Sequence, residues 1–285
     1  MVKKARYFNQ NENELVCTLC PHSCHITEGG TGRCLARAVH DGELIAESYG
    51  QATSIALDPI EKKPLRRFMP GSNILSLGSY GCNMNCLFCQ NHRISRAKAS
   101  SEYIPPEKLA DTALKAAGSS GNIGVAFTYN EPLIWAEYIL DTAPLLKERE
   151  LKTILVTNGY ADPEVIADLI PWVDAVNIDL KAFDDKFYLH HGGSLEPVRR
   201  TIEAFAHTCH VEITTLIVAG ENDDRESMTA QVEWIAGISP DIPLHISRFF
   251  PHHYMSNQAP TPIEVMRPLE AIAKGKLHHV YLGNV

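Results

Sequence analysis

The sequence has no apolar run near the roughly 18 residues that would suggest a membrane span, so helical membrane anchoring is not expected. Its start, MVKKARYFNQNENEL, carries basic residues with no apolar stretch behind them and does not read as a secretory signal. The expected location is the cytoplasm, where thiols stay reduced and clustered cysteines more often hold metal than form disulfides. Positive charge is scarce. Lys and Arg number 26 against 34 Asp and Glu, a net charge of −8, so nucleic acid is not expected as the main partner. There is no internal repeat and no low-complexity tract. No glycine-rich phosphate loop follows the first clear strand, which counts against a doubly wound nucleotide-binding sheet.

The chain of 285 residues suits one large α/β domain, or one with a small appendage. From residue 73 onward the pattern is rhythmic. Apolar runs such as NILSLG (73–78), IGVAFTY (123–129), KTILVTNG (152–159), VDAVNIDLKAF (173–183), HVEITTLIV (210–218) and IPLHISRFF (242–250) read as strands. Helical patterns separate them, and HHVYLGN (278–284) adds a further candidate strand. Alternation of this kind indicates a parallel sheet. The expected fold is a (β/α)6-type partial TIM barrel over residues 73–285, preceded by an irregular connector at 58–72 and a small cysteine-rich, metal-binding module at 1–57. In such a barrel, chemistry sits at the C-terminal strand ends.

Seven of the eight cysteines fall in two groups, and none follows Cys209. Cys17, Cys20, Cys24 and Cys34 make a four-thiolate set of the closed kind that can fold a small module around itself. Zinc and an auxiliary iron–sulfur cluster both suit it, and His22 or His25 could replace a cysteine. The second group lies in GCNMNCLFCQ (81–90), directly after NILSLG. Cys82, Cys86 and Cys89 are three ligands where closed sites use four, and an open position marks a reactive metal. A zinc site completed by His92, or a trio of unrelated buried cysteines, is the alternative.

The spacing C-x3-C-x2-C, with Phe88 before the last cysteine, resembles the signature of the radical S-adenosylmethionine superfamily. That resemblance implies a [4Fe-4S] cluster whose open iron chelates S-adenosylmethionine, with Phe88 near the adenine. Reductive cleavage then yields a 5′-deoxyadenosyl radical that abstracts hydrogen from substrate. TYNEP (128–132) resembles the superfamily's GGE element and assigns Glu131 to the amino group of S-adenosylmethionine. Here Tyr129 and Asn130 replace the two glycines, and a plain helix cap is the competing reading. NIDLKAF resembles the DLK element of pyruvate formate-lyase activating enzymes and assigns cofactor contacts to Asp179 and Lys181; a structural ion pair is the alternative. TNG assigns Thr157 and Asn158, or else a simple turn. FFPHH assigns His253 to the ribose, or else a surface histidine.

Taken together, CTLCPHSCHITEGGTGRC, DPIEKKPL, GCNMNCLFCQNH, TYNEP, TNGY, NIDLKAF and HISRFFP resemble the AmmeMemoRadiSam-system radical SAM proteins. That resemblance implies a radical enzyme of unknown substrate, a reductant such as flavodoxin or ferredoxin, and association with AMMECR1-domain and Memo-like proteins. A glycyl-radical-enzyme activase acting on a partner protein, an iron–sulfur electron-transfer protein and a zinc-held interaction module without catalysis are the alternatives.

Overall fold

The computed structural model describes residues 2–10 and 14–285; Met1 and 11–13, part of the expected N-terminal module, lie outside it. An eight-stranded sheet dominates the fold. Its strands are β1 (Ser54–Pro59), β2 (Asn73–Gly78), β3 (Asn122–Phe127), β4 (Lys152–Thr157), β5 (Ala175–Asp179), β6 (His210–Ile217), β7 (Leu244–Arg248) and β8 (Val280–Gly283). They lie side by side in chain order, β2 to β8 all parallel, with β1 antiparallel along the edge of β2.

Helices α1 (Pro106–Ser120), α2 (Ala136–Glu148), α3 (Pro163–Leu169), α4 (Asp185–His190), α5 (Leu195–Ala206), α6 (Arg225–Ile238) and α7 (Ile263–Lys274) connect the strands. Local chemistry sets their ends. Pro106 opens α1, and Gly121 closes it at φ +64°. The side chains of Asp162, Asp184 and Asp224 accept the first free N–H groups of α3, α4 and α6. Among the described residues no helix is long and apolar enough to cross a membrane.

Side chains alternate along each strand. Leu75, Leu77, Val125, Phe127, Val176, Ile178 and Ile213 belong to the main core. That core also takes in Leu15, Cys17, Leu19 and Ile26 from the N-terminal segment, so one apolar interior serves both. The opposite sheet face carries Ile74, Ala126, Ile154 and Ala175, plugged by Ile60 and Leu65 of the connector. Those two plugs are fully buried, and each contributes about 1.5–3 kcal/mol.

The connector is therefore less irregular than its prolines suggest. Asp58 and Pro59 complete β1, and Ile60–Lys62 form a 3₁₀ turn. Above the plug lies a polar layer. Glu212 accepts from His245 Nε2 (2.6 Å), His210 Nε2 (2.9 Å) and the N–H groups of Arg66 and Arg67 (3.0 and 2.7 Å). Asn177 accepts from Thr214 (2.9 Å) and donates to the Pro64 carbonyl (2.9 Å). This layer is how polar residues on a buried strand are satisfied.

Before the sheet, Phe8–Gln10, Leu15–Cys17 and His25–Ile26 form a three-stranded sheet, and Arg37–His40 pairs with Glu43–Ala46. Arg37 leaves this segment to meet Glu137 on α2 in a bidentate, fully buried ion pair (2.6 and 2.8 Å).

Candidate functional site

A cavity of about 360 Å³ opens at the C-terminal strand ends. Its wall is built from the segments following β2, β3, β4 and β5, from Thr214 and Leu216 of β6, Ser247 of β7 and Asn284 after β8. The cavity is thus lined from the ends of all seven parallel strands or the segments that follow them. Cys82, Cys86, Cys89, Phe88, Glu131, Thr157, Asn158, Asp179 and Lys181 all line it. His253 does not: its ring stacks on His92 at 4.5 Å, and its buried Nε2 has no partner among the described residues. His92 is itself turned to the Cys89 carbonyl (3.1 Å). Cys209 sits at the opposite, N-terminal end of β6 with its thiol near the His210 carbonyl (3.8 Å), out of reach of the triplet.

The cysteine loop is fastened from four sides. Asn130 accepts from Ser79 N (2.9 Å) and donates to the carbonyls of Tyr80 and Gly81 (3.2 and 3.1 Å). It is thus a loop brace rather than the helix cap that its position suggested. His191 accepts from Leu87 N at Nδ1 (3.3 Å), and its carbonyl accepts from Asn85 N (2.8 Å). Nε2 of His191 is therefore the protonated nitrogen, and it donates to Glu221 (3.2 Å). Asn83 donates to the Tyr160 carbonyl (2.6 Å) and accepts from Asn158 Nδ2 (2.9 Å), which also lies 3.7 Å from Cys82 Sγ. Finally, Gly81 at φ +88° lies against the Cys34 carbonyl; a Cβ there would come within 2.1 Å of that oxygen, so only glycine fits.

Glu131 is buried and has no cationic partner among the described residues. Its carboxylate accepts from Thr157 Oγ1 (2.5 Å), Asn158 N (2.7 Å) and Leu133 N (2.9 Å). Burial pushes its pKa up to about 7 against the pull of these three donors, with Asp179 adding to the rise. Glu131, not Asn130, thus caps the turn Pro132–Trp135 while also facing the cavity. Lys181 Nζ pairs with Asp179 at 2.8 Å and lies 5.9 Å from the Phe88 ring centre. Burial alone would lower the Lys181 pKa; Asp179 and the Cys86 thiol reverse this and raise it. Burial raises the thiol of Cys82 well above its usual range and that of Cys86 to about 11, Lys181 opposing the latter. Phe88 is wedged edge-on against His191 at 4.8 Å.

Several wall residues escaped the sequence reading. Lys62 and Lys63 reach the cavity from the connector, both paired with Asp58 (3.3 and 3.0 Å). Tyr129 donates to Asp58 (3.0 Å) and holds a left-handed backbone, φ +70°. A positive φ costs residues other than glycine about 1–2 kcal/mol. His191 lies between helical segments with no periodic signal to flag it.

The N-terminal thiols Cys17, Cys20, Cys24 and Cys34 line a second, tighter pocket together with Arg37 and Asn83. Burial raises Cys17, and lifts Cys20 to about 12 and Cys34 to about 11, with neighbouring thiols adding to each rise. Arg37 Nε is a buried donor without a partner among the described residues. In neither cysteine group do three side chains converge as closely as one bound ion would hold them. The donor sets fit sulfur-ligated metal.

The Radical SAM superfamily profile matches residues 77–232, the span from the end of β2 into α6. An uncharacterized protein of Methanocaldococcus jannaschii is 35% identical over 292 aligned residues, covering 100% of this chain and 86% of its own. The pyruvate formate-lyase 1-activating enzyme of Escherichia coli is 29% identical over 156 residues, covering 52% of this chain and 62% of its own. The crystal structure of Streptococcus suis SuiB bound to S-adenosylmethionine superposes with a TM-score of 0.56 at 16% identity, over 74% of this chain and 51% of that one, a likeness of fold. With the profile covering more than half of its length, the chain belongs to the radical SAM superfamily.

Proposed function

We propose that this chain is a radical S-adenosylmethionine enzyme built on a partial (β/α) barrel, with Cys82, Cys86 and Cys89 as ligands of a [4Fe-4S] cluster. The observation that carries the reading is the shared cavity: three thiols, and beside them a buried carboxylate without a counter-ion among the described residues. When bound, the cluster supplies the electron that cleaves S-adenosylmethionine to the 5′-deoxyadenosyl radical, which takes hydrogen from substrate.

This chain's residues bind and orient. Glu131, its carboxylate aimed by Thr157 and Asn158, accepts the amino group of S-adenosylmethionine. Lys181, kept charged by Asp179, faces the carboxylate, and Phe88 offers the adenine an apolar surface held by His191. Because the cavity is open at the strand ends, bound substrate or covering loops must keep bulk water from the reacting atoms. His253 would have to swing off His92 to reach a ribose, and its unpartnered Nε2 leaves it free to do so. Cys17, Cys20, Cys24 and Cys34 would hold a second metal centre, zinc or an auxiliary iron–sulfur cluster. Similarity to activating enzymes supports a partner protein as one substrate class; a glycine as its target, flavodoxin or ferredoxin as reductant, and association with AMMECR1-domain and Memo-like proteins rest on family resemblance alone.

The test is anaerobic reconstitution with iron and sulfide, reduction, addition of S-adenosylmethionine and assay for 5′-deoxyadenosine. Product is expected from the wild type and none from Cys86→Ala. Product from that variant would refute the ligand assignment.

A further inference from the structure

We infer that the metal centre at Cys17, Cys20, Cys24 and Cys34 is the fastening that positions the Cys82 loop, so that filling the first site governs filling of the second. The inference rests on the reading of those four thiols as a metal site. Three contacts carry it. The Cys34 carbonyl lies directly against Gly81, the residue before Cys82. His22 Nε2, between Cys20 and Cys24, donates to the carbonyl of Asn83, the residue after Cys82 (2.7 Å). Asn83 itself lines the pocket of the four thiols while its side chain joins the Cys82 loop to Tyr160 and Asn158. Cys82 is therefore gripped on both sides by the loop bearing the other cysteine group.

That gripping loop has little regular structure of its own. Between Cys17 and Arg37 the only strand is His25–Ile26 among the described residues. Ser23 and Leu35, each adjacent to a cysteine of the group, sit at φ +44° and +65°. Left-handed backbone at such residues persists only where the surroundings impose it. Four bonds to one metal centre would impose it, and the unpartnered Arg37 Nε–H in the same pocket is a donor suited to an anionic metal–thiolate group. Linkage makes the coupling reciprocal: whatever factor the first centre adds to affinity at the triplet, the triplet's occupant returns.

The experiment uses full-length protein reconstituted anaerobically. Iron, zinc and sulfide per chain are measured, with hydrogen exchange over residues 79–91. Cys17→Ser/Cys20→Ser is expected to lose the N-terminal metal, to retain less iron at the triplet and to exchange about tenfold faster over 79–91, as loss of one or two hydrogen bonds implies. His22→Ala and His22→Phe keep all seven clustered cysteines, and His22→Phe also keeps a ring against Tyr160. They are expected to keep the N-terminal metal while showing the same faster exchange and loss of triplet iron, and they decide the matter if the double serine variant does not fold. Unchanged exchange and full triplet iron in these variants would overturn the coupling while leaving the metal site standing. Wild-type protein with no metal beyond the triplet's would instead remove the reading beneath it.

Discussion

The backbone N–H of Asn158 donates to the Glu131 carboxylate at 2.7 Å, tying the ends of two neighbouring strands to one buried charge. With Thr157 on the other oxygen, the carboxylate is held in place, and burial sets its pKa near 7. Its ionised form is the one able to accept an ammonium group. Affinity for S-adenosylmethionine is therefore expected to be highest above pH 7 and to fall about tenfold per unit as pH drops below it. Glu131→Gln should weaken binding about ten- to hundredfold and flatten this profile. Binding titrations of the reconstituted protein at several pH values check both; an equally steep profile in the variant would assign the titration to another group.

Tyr129 reverses an ordinary rule. Replacing a residue by glycine usually costs more than replacing it by alanine, because glycine loses more freedom on folding. At φ +70° the order should invert, with Tyr129→Gly more stable than Tyr129→Ala by about 1 kcal/mol. Both lose the hydrogen bond to Asp58. Denaturant midpoints of the two variants decide.

Arg37 and Glu137 test what joins the N-terminal segment to the barrel. Glu137→Ala leaves a fully buried guanidinium unpaired and should cost about 3–5 kcal/mol. The double replacement Arg37→Met/Glu137→Leu removes both charges and should cost clearly less, apart from the Arg6 N–H that Glu137 also accepts (2.7 Å). A double variant as unstable as the single one would show that shape rather than charge dominates there.

Glu212 governs stability in acid. Burial would raise its pKa, but His210, His245 and the Arg67 and Arg66 N–H groups outweigh burial and pull it down to about 2. A carboxyl lowered in the folded state gives stability that is present above its unfolded value near 4.5 and lost as pH falls toward 2. Glu212→Gln should lose that contribution at neutral pH and show a flatter decline between pH 4.5 and 2 in thermal melts.

Much of this was legible from residues alone. The strands of the parallel sheet are apolar runs with turn residues at both ends, and the cysteine spacing is a local signal that needs no tertiary context. The wall residues Glu131, Asp179 and Lys181 follow from resemblance to the GGE and DLK elements, and each does sit at or just past a strand end. Other features depend on contacts distant in sequence. The edge strand β1 leaves Ile55 and Leu57 exposed and runs into prolines, so nothing in its pattern declares a strand until it pairs with β2. The six-residue helix α4 is too short for periodicity to register, yet it delivers His191 to the cysteine loop. Family resemblance assigns His253 to the ribose, whereas its loop stacks it on His92.

Because one apolar interior runs unbroken from Leu15 and Ile26 to Leu75 and Ile178, the amino-terminal segment is no interchangeable cassette. A graft that replaced it would have to reproduce the shape that Leu19 and Ile26 present, or leave the shared interior with an unfilled seam. Substitutions on the two sides of that seam should therefore be selected in concert, with a change of size on one side answered by its complement on the other.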